Sequence, residues 1–349
     1  MKILVTGGAG FIGSHVAEYY AQQGNDVKVI DNLSRDILLK KKSEHTSFNW
    51  DYLHRYSNIE FIRGDIRDKD LLCTVSDDID VVIHTAGQTA VTTSVTDPRT
   101  DFETNVCGTF NVLEAARKSG NNPCVIFCST NKVYGNNVNS VGVSETSSRY
   151  VFSDPKFKSG IPETFSIDHC EHTPYGCSKL SADLYVQDYA IRNELKAGVF
   201  RMSCIYGTRQ FGVEDQGWVA WFSIATLLGK PITIYGDGKQ VRDVLYVSDL
   251  VNAFDAFISR SKKMQYGVFN MGGGSEFTIS LLELLDLLEE YTGKKSQITF
   301  DAWRPSDQKV YISDIRKAEK ILKWKPRVSP KKGVQNLVTW IEENIHLFK

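Results

Sequence analysis

The chain has 349 residues, 42% of them hydrophobic, and its 41 basic and 42 acidic residues leave a net charge of −1. That length supports one large or two interleaved domains, and acids and bases are mixed throughout, with no basic block for nucleic acid beyond the short run Lys40-Lys41-Lys42. The 7 cysteines are scattered, odd in number and without a Cys-x2-Cys pair, which predicts neither disulfides nor a metal site. No apolar run approaches the ~20 residues of a membrane span, and the chain opens straight into a strand, so a cytoplasmic protein is expected.

Residues 2–6 read as a short buried strand, followed directly by Gly7-Gly-Ala-Gly10-Phe11-Ile12-Gly13. An amphipathic helix from Ser14 to Gln23 comes next, stopped by Gly24. Glycines between a strand and a helix N-terminus suit a dinucleotide: one makes the tight turn, one lets a pyrophosphate approach the backbone, and one lets helix pack on strand. The spacing Gly-x2-Gly-x2-Gly is a variant of that fingerprint. A second strand, 27–30, ends in Asp31, whose carboxylate accepts ribose hydroxyls and repels a 2′-phosphate, favouring NAD over NADP. A third strand, 59–62, leads to Asp65-Ile66, where an adenine edge is read. A fourth, 80–85, is closed by Ala86-Gly87-Gln88.

A helix is expected from Pro98 to Lys118, with Phe102, Val106, Phe110, Val112 and Leu113 on its buried side. Strands follow at 123–128, where Cys124 and Cys128 read as core, and at 197–200. This alternation predicts an α/β protein with a Rossmann-type doubly wound parallel sheet. Two long connections interrupt it, 34–57 and 136–172, and the second reads as a substrate lid. It runs into Thr-Pro-Tyr175-Gly-Cys-Ser-Lys179. A helix places residues four apart on one face, so phenol and ammonium share one space. A tyrosine titrates near pH ~10, and a fixed cation beside it is expected to lower that value.

Beyond Arg201 the elements shorten: a Trp-rich helix near 217–229, strands at 232–235 and 244–247, a helix at 249–259, a strand at 267–270, and helices at 278–292 and 333–345. Residues 1–200 are therefore expected to form mainly the NAD-binding domain. Residues 201–349 are expected to form mainly a smaller, interleaved substrate lobe, with some strands returning to the first domain.

Together these motifs resemble the extended short-chain dehydrogenase/reductase family, the NAD-dependent nucleotide-sugar epimerases and dehydratases, over nearly the whole chain. The pieces that carry the resemblance are Gly-Gly-Ala-Gly-Phe-Ile-Gly, Asp31-Asn32, Gly64-Asp65-Ile66-Arg67, His84-Thr-Ala-Gly87 and Asn105-Val-Cys-Gly-Thr. To them are added Ser129-Thr130-Asn-Lys-Val-Tyr-Gly135, Tyr175-x3-Lys179 and Gly236-Asp-Gly-Lys-Gln-Val-Arg242-Asp-Val. The resemblance implies a triad of Thr130, Tyr175 and Lys179. Thr130 holds the sugar oxygen, Tyr175 removes its proton, and Lys179 grips the nicotinamide ribose and holds the Tyr175 pKa down. It implies NAD contacts at Gly7, Gly10, Phe11, Ile12, Gly13, Asp31, Asn32, Asp65 and Ile66. Further contacts are implied at Ala86, Gly87, Gln88, Asn105, Ser129, Tyr175, Lys179 and Ser203. For the nucleotide it implies Tyr235 packing on the base, Arg242 on the pyrophosphate and Arg304 as a further ligand. A homodimer or homotetramer through helices near 98–118 and 174–195 is also implied.

Departures from the family pattern narrow the reaction. The 4,6-dehydratases place Asp-Glu after the catalytic Thr, whereas Asn131 and Lys132 stand here. Many 4-epimerases carry a phosphate-gripping Asn in Arg-x2-Asn-x-Tyr-Gly, whereas Arg201-Met-Ser-Cys204-Ile-Tyr-Gly207 has Cys204. Gln88, Asn131, Pro-Tyr175-Gly-Cys-Ser-Lys and Gln210-Phe-Gly-Val-Glu-Asp-Gln216-Gly-Trp218 are similar to a narrower group, the CDP-paratose 2-epimerases. These invert C2 of a CDP-linked hexose through a transient 2-keto sugar. The resemblance then implies substrate contacts at Gln88, Thr130, Asn131, Cys204, Gln216, Trp218, Tyr235, Arg242 and Arg304. A UDP- or CDP-hexose 4-epimerase and a net dehydrogenase are the alternative enzymes, and an NAD-sensing protein is the alternative without catalysis. Residue chemistry alone leaves cytosine against uracil, and C2 against C4, open.

Overall fold

A computed structural model describes residues 1–35, 47–192, 194–304 and 307–349. The Lys40-Lys41-Lys42 run and the rest of 36–46 lie outside the described residues. The chain divides into two compact units. The first takes in Met1–Val133, Thr173–Arg201 and Val251–Phe269, and the second Tyr134–His172, Met202–Leu250 and Asn270–Lys349.

The first unit is built on seven strands: β1 (Lys2–Thr6), β2 (Asp26–Asp31), β3 (Ile59–Arg63), β4 (Val81–His84), β5 (Cys124–Thr130), β6 (Lys196–Met202) and β7 (Tyr266–Met271). They form one sheet in the order β7-β6-β5-β4-β1-β2-β3, the expected doubly wound parallel architecture. Strands β4 and β5 are buried along their whole length, as strands covered on both faces must be. The order reverses between β1 and β4, where Thr6 pairs with Ile30 on one side and His84 on the other. A crevice outside the carboxyl ends of the strands belongs at such a point.

Helices of this unit are α1 (Phe11–Gln22), α2 (Phe48–Leu53), α3 (Lys69–Val75), α4 (Val91–Thr96), α5 (Pro98–Phe102), α6 (Gly108–Lys118) and α7 (Pro174–Ile191), with α8 (Val247–Ile258) entering it. The helix expected over 98–118 is broken: a π turn, Glu103–Cys107, separates α5 from α6. The extra residue in that turn rotates the apolar stripe. Val106, Val112 and Leu113 are buried as expected, but Phe102 is 53% and Phe110 40% exposed.

In the second unit, strand Val241–Tyr246 pairs with Thr278–Ser280, Val310–Tyr311 and Cys204–Tyr206, and Ile232–Tyr235 pairs with Ile298–Asp301. Helices Trp218–Leu228, Leu281–Thr292 and Pro330–Glu343 belong to it, the second opened by a capping box between Ser280 and Glu283. The segment 136–172, expected as a lid, contains a hairpin of Val143–Glu145 with Tyr150–Phe152. Main-chain bonds fasten it: Tyr150 N–H to Lys239 O at 2.9 Å, Ile161 N–H to Ile312 O at 2.7 Å and Asp314 N–H to Ile161 O at 3.0 Å. At those positions it is scaffold, not a free-standing flap. No helix among the described residues is long and apolar enough to cross a membrane.

His84 closes β4 inside the core. Its Nδ1 lies 2.7 Å from Thr6 Oγ1 and its Nε2 3.0 Å from Thr109 Oγ1. Thr109 gives its hydroxyl hydrogen to Asn105 O at 2.6 Å, so His84 Nε2 is the donor and Nδ1 the acceptor, a neutral imidazole with both nitrogens satisfied. Burial first, and the charge of Lys179 second, push its pKa down to about 3. Below pH ~6.5 the unfolded chain takes up a proton that the folded chain refuses. Stability is therefore fully present above that pH and is lost as pH falls toward 3, by about 1.4 kcal/mol per pH unit. Denaturant unfolding between pH 6 and 4 should show His84→Gln losing stability less steeply than the parent by about one proton. Identical slopes would remove His84 from the acid response.

Candidate active site

The loop from β1 to α1 packs against the end of β4. Gly7 has φ +73° and donates its N–H to Ile30 O at 2.8 Å, and a Cβ on it would come within 2.7 Å of the Ala86 backbone. A Cβ on Gly13 would meet Gly7 O at 2.2 Å. The turn is thus closed to side chains, and Gly10 starts α1 without a side-chain cap. The first-turn N–H groups at Phe11, Ile12 and Gly13 are left to an anion. At the end of β2, Asp31 Oδ2 accepts from Ala9 N–H at 2.9 Å and Oδ1 from Leu33 N–H at 2.8 Å. Burial raises its pKa while these bonds lower it. Each oxygen keeps a lone pair for a hydroxyl. A glycine cradle, an uncapped helix and a fixed carboxylate at the next strand end fit a dinucleotide with a free ribose 2′-hydroxyl.

Asn32 Nδ2 donates to Asp65 Oδ2 at 2.8 Å, and Arg67 grips the same carboxylate from the other side at 3.0 and 2.8 Å. Led by that Arg67 bond, the Asp65 pKa falls to about 2. Ile66 is buried, and Gly108 leaves it room, since a Cβ there would lie 2.5 Å from Ile66 Cδ1.

Helix α7 carries Tyr175 and Lys179 on one buried stripe. Thr173 caps it by accepting from Gly176 N–H at 3.2 Å, and Pro174 supplies the fixed φ of its first turn. Tyr175 N–H is taken by Ser94 Oγ on α4 at 3.1 Å. Thr130, at the end of β5, turns its hydroxyl to Asn131 Oδ1 at 3.3 Å. The Lys179 ammonium sits 4.3 Å over the Phe127 ring. The ionisation pattern corrects the expectation from the sequence. Burial dominates both groups, pushing Tyr175 up to about 12 and Lys179 down to about 8. The group that lowers the phenol is Thr130, while Asp101 and Cys128 raise it further.

Gln88 was expected at both cofactor and substrate. Its side chain turns inward, 3% exposed, with Nε2 donating to Ala90 O at 2.8 Å and Asp101 Oδ1 at 2.9 Å, and Oε1 accepting from Ala90 N–H. Asn105, on the π turn, clamps the Gln88 backbone: Oδ1 accepts from its N–H at 2.9 Å and Nδ2 donates to its carbonyl at 3.1 Å. Nδ2 also reaches Ser178 Oγ on α7 at 3.0 Å. Ser129 is likewise turned inward, donating to Asp183 Oδ2 at 2.6 Å, and Arg201 pairs with that carboxylate at 3.0 Å. Asp101 and Asp183 escaped the sequence reading. Asp183 carried a usable signal, standing four residues after Lys179 on the same helical stripe.

The second unit gathers the expected nucleotide residues in smaller groups. Trp218, the first residue of its helix, donates Nε1–H to Cys204 Sγ at 3.3 Å. Gln216 exchanges two main-chain bonds with Val213 at 2.9 Å. Tyr235 donates to Glu214 Oε1 at 3.0 Å, and the Arg304 guanidinium lies 4.0 Å over its ring while reaching Asp215 Oδ1 at 3.0 Å. Arg242 donates to Asp307 Oδ1 at 2.6 Å. Ser203 bonds the Met271 carbonyl at 2.7 Å and the Asp243 carbonyl at 3.1 Å.

Comparison with known proteins agrees with this construction. The model of the NAD dependent epimerase/dehydratase family matches residues 3–272. The chain is 43% identical over 347 residues to a CDP-paratose 2-epimerase of Salmonella typhi, covering 97% of this chain and 99% of that one. Among solved structures it is similar to a UDP-glucose 4-epimerase with UDP-glucose from Thermotoga maritima. That match has a TM-score of 0.81 and 33% identity, over 99% of this chain and 100% of that one. It is also similar to a UDP-glucuronic acid 4-epimerase from Bacillus cereus in complex with UDP-glucuronic acid and NAD, with a TM-score of 0.77 and 30% identity over 99% and 100%. The chain belongs to the NAD dependent epimerase/dehydratase family and is an NAD-dependent epimerase.

Proposed function

We propose that the protein inverts C2 of a CDP-linked hexose, converting CDP-paratose to CDP-tyvelose, with the first unit holding NAD and the second the nucleotide sugar. The observation that carries this reading is the 43% identity, along nearly the whole chain, to a CDP-paratose 2-epimerase. Two departures within the chain support it. Asn131 and Lys132 stand where a dehydratase needs acids, and Cys204, bonded to Trp218, stands where many 4-epimerases grip phosphate with Asn.

In this reading the Gly7, Gly10 and Gly13 turn and the start of α1 hold the pyrophosphate, and Asp31 holds the adenosine ribose. Bound NAD supplies a hydride acceptor that serves as donor in the return half of the reaction. Tyr175 takes the proton of the sugar hydroxyl and later gives it back. Thr130, at the end of β5, holds the same oxygen. Lys179 stands one turn along as the cation of the pair. On the second unit Arg242 and Arg304 exchange their carboxylate partners for the diphosphate. Seven cysteines, all free thiols, suit a reducing cytoplasm. Exposed Phe102, Phe110, Leu184, Tyr185 and Ile191 on α5, α6 and α7 suit burial against a second copy of the chain.

Proton NMR of CDP-paratose in D2O with the purified protein and no added NAD should show the C2-inverted sugar without deuterium at C2. Inversion at C4 of a UDP- or CDP-hexose, with CDP-paratose untouched, would replace the proposal by a 4-epimerase. Tyr175→Phe should lower kcat by about 100-fold or more while NAD binding is kept; a near-normal kcat would assign proton transfer elsewhere. Cys204→Asn should impair C2 turnover, and a variant that turns over C2 unimpaired would remove Cys204 from the specificity argument.

A further inference from the structure

At Arg242 the strand Val241–Tyr246 has a neighbour on each side. Ile279 of Thr278–Ser280 is its antiparallel partner and Tyr311 of Val310–Tyr311 its parallel one. The guanidinium is aimed by two bonds, to Val241 O at 2.8 Å and to Asp307 Oδ1 at 2.6 Å. Its direction therefore depends on how these pieces of chain are held.

One segment of the second unit, 136–152, is tied to all three. On the antiparallel side Arg149 donates to Thr278 Oγ1 at 3.0 Å and through Nε to Glu283 Oε1 at 2.6 Å. Tyr150 holds the turn that leads into the Arg242 strand: its N–H bonds Lys239 O at 2.9 Å and its phenol bonds Asp237 Oδ2 at 2.6 Å. Its ring packs with Val241 and Val310 in one small apolar cluster. On the parallel side the Asn139 amide pairs as a strand edge would. Nδ2 donates to Asp307 O at 2.9 Å and Oδ1 accepts from Lys309 N–H at 3.4 Å. That fixes the backbone of the residue whose carboxylate holds Arg242. Asn139 is exposed, so its bonds add little to stability, and what they set is position. An arginine grips phosphate oxygens through a rigid fork of donors, so a small error of aim loses more than one bond.

We propose that segment 136–152 is the positioning element of Arg242, with Tyr150 and Asn139 as its positioning residues, and that it serves the nucleotide-sugar site by aiming this guanidinium at the diphosphate. The inference rests on the reading of Arg242 as a diphosphate ligand. It gives the long connection before Tyr175 a task that needs no movement.

The test is calorimetric binding to the NAD-loaded protein, with CDP and cytidine, and with UDP and uridine, as probes. Tyr150→Phe removes the Asp237 bond and keeps the packed ring; Asn139→Ala removes both bonds to the Asp307 segment. Together they should weaken the diphosphate by about tenfold and the matching nucleoside by less than about twofold, and raise KM with kcat within about twofold. In an Arg242→Gln background the same two changes should weaken the diphosphate no further. Equal losses for diphosphate and nucleoside, or losses that add to that of Arg242→Gln, overturn the proposal and leave the segment as scaffold. Should the double variant not fold, Asn139→Ala alone is carried through the same cycle. Failure of the parent to bind either diphosphate, or an Arg242→Gln protein that binds it as tightly as the parent, overturns the reading of Arg242 and the inference with it. The expected cycle in a protein that inverts no CDP-paratose would uphold the inference and overturn only the substrate.

Discussion

Placing a tyrosine and a lysine on the same dry stripe of α7 sets a condition that every neighbouring element has to meet. Burial drives both groups toward their neutral forms, so the surroundings must fix the helix and return the charge balance without admitting water. Ser94 takes the Tyr175 N–H, Asn105 reaches Ser178, the Phe127 ring underlies Lys179, and Asp183 ties the next turn to Arg201. The π turn at Glu103–Cys107 belongs to the same scheme. Its widened backbone is where Asn105 sits, holding the Gln88 loop with one hand of its amide and α7 with the other.

What the sequence disclosed follows from how local each constraint is. The glycine turn, Asp31 at a strand end and the Tyr175–Lys179 spacing depend on backbone periodicity, and they appear in the fold as expected. Phe102 and Phe110 were misplaced because a helical wheel run straight through 98–118 has no room for a π turn, which Asn105 needs for tertiary reasons. The inward turn of Gln88 is not legible in the chain because no pattern along it tells an amide aimed at a ligand from one aimed at Asp101, thirteen residues on. The Lys179 effect on Tyr175 was overestimated for a related reason: proximity is readable from spacing, but desolvation depends on everything packed around the pair. The short strands of the second unit, such as Val310–Tyr311 and Thr278–Ser280, fall below the length at which alternation means anything.

Electrostatics in the second unit has a different character. Arg242 with Asp307 is the more deeply buried pair, whereas Arg304 with Asp215 is a part-exposed pair, the kind worth only ~0–1 kcal/mol. An arginine held this lightly keeps its side chain extended and its position defined, yet gives up its partner at little cost to an anion that offers more oxygens. Stacking Arg304 over Tyr235 adds a geometric restraint that does not compete for its hydrogen-bond donors.

The order in which the first unit collects its chain bears on how the protein is made. Its sheet is assembled from residues 1–133, 173–201 and 251–269. Strands β6 and β7 lie beyond β5 on one side of that sheet, so at the ribosome the outer edge stays open until more than three quarters of the chain has emerged. Until β6 emerges, β5, buried at every position in the finished sheet, presents unpaired main-chain groups flanked by Val, Ile and Phe, the composition most prone to pair with another nascent chain. A fragment cut near residue 200 would lack β7 and keep β6 as a bare edge. The first unit is therefore contiguous in space but not in synthesis, and its completion waits on β7, a strand supplied by residues 266–271.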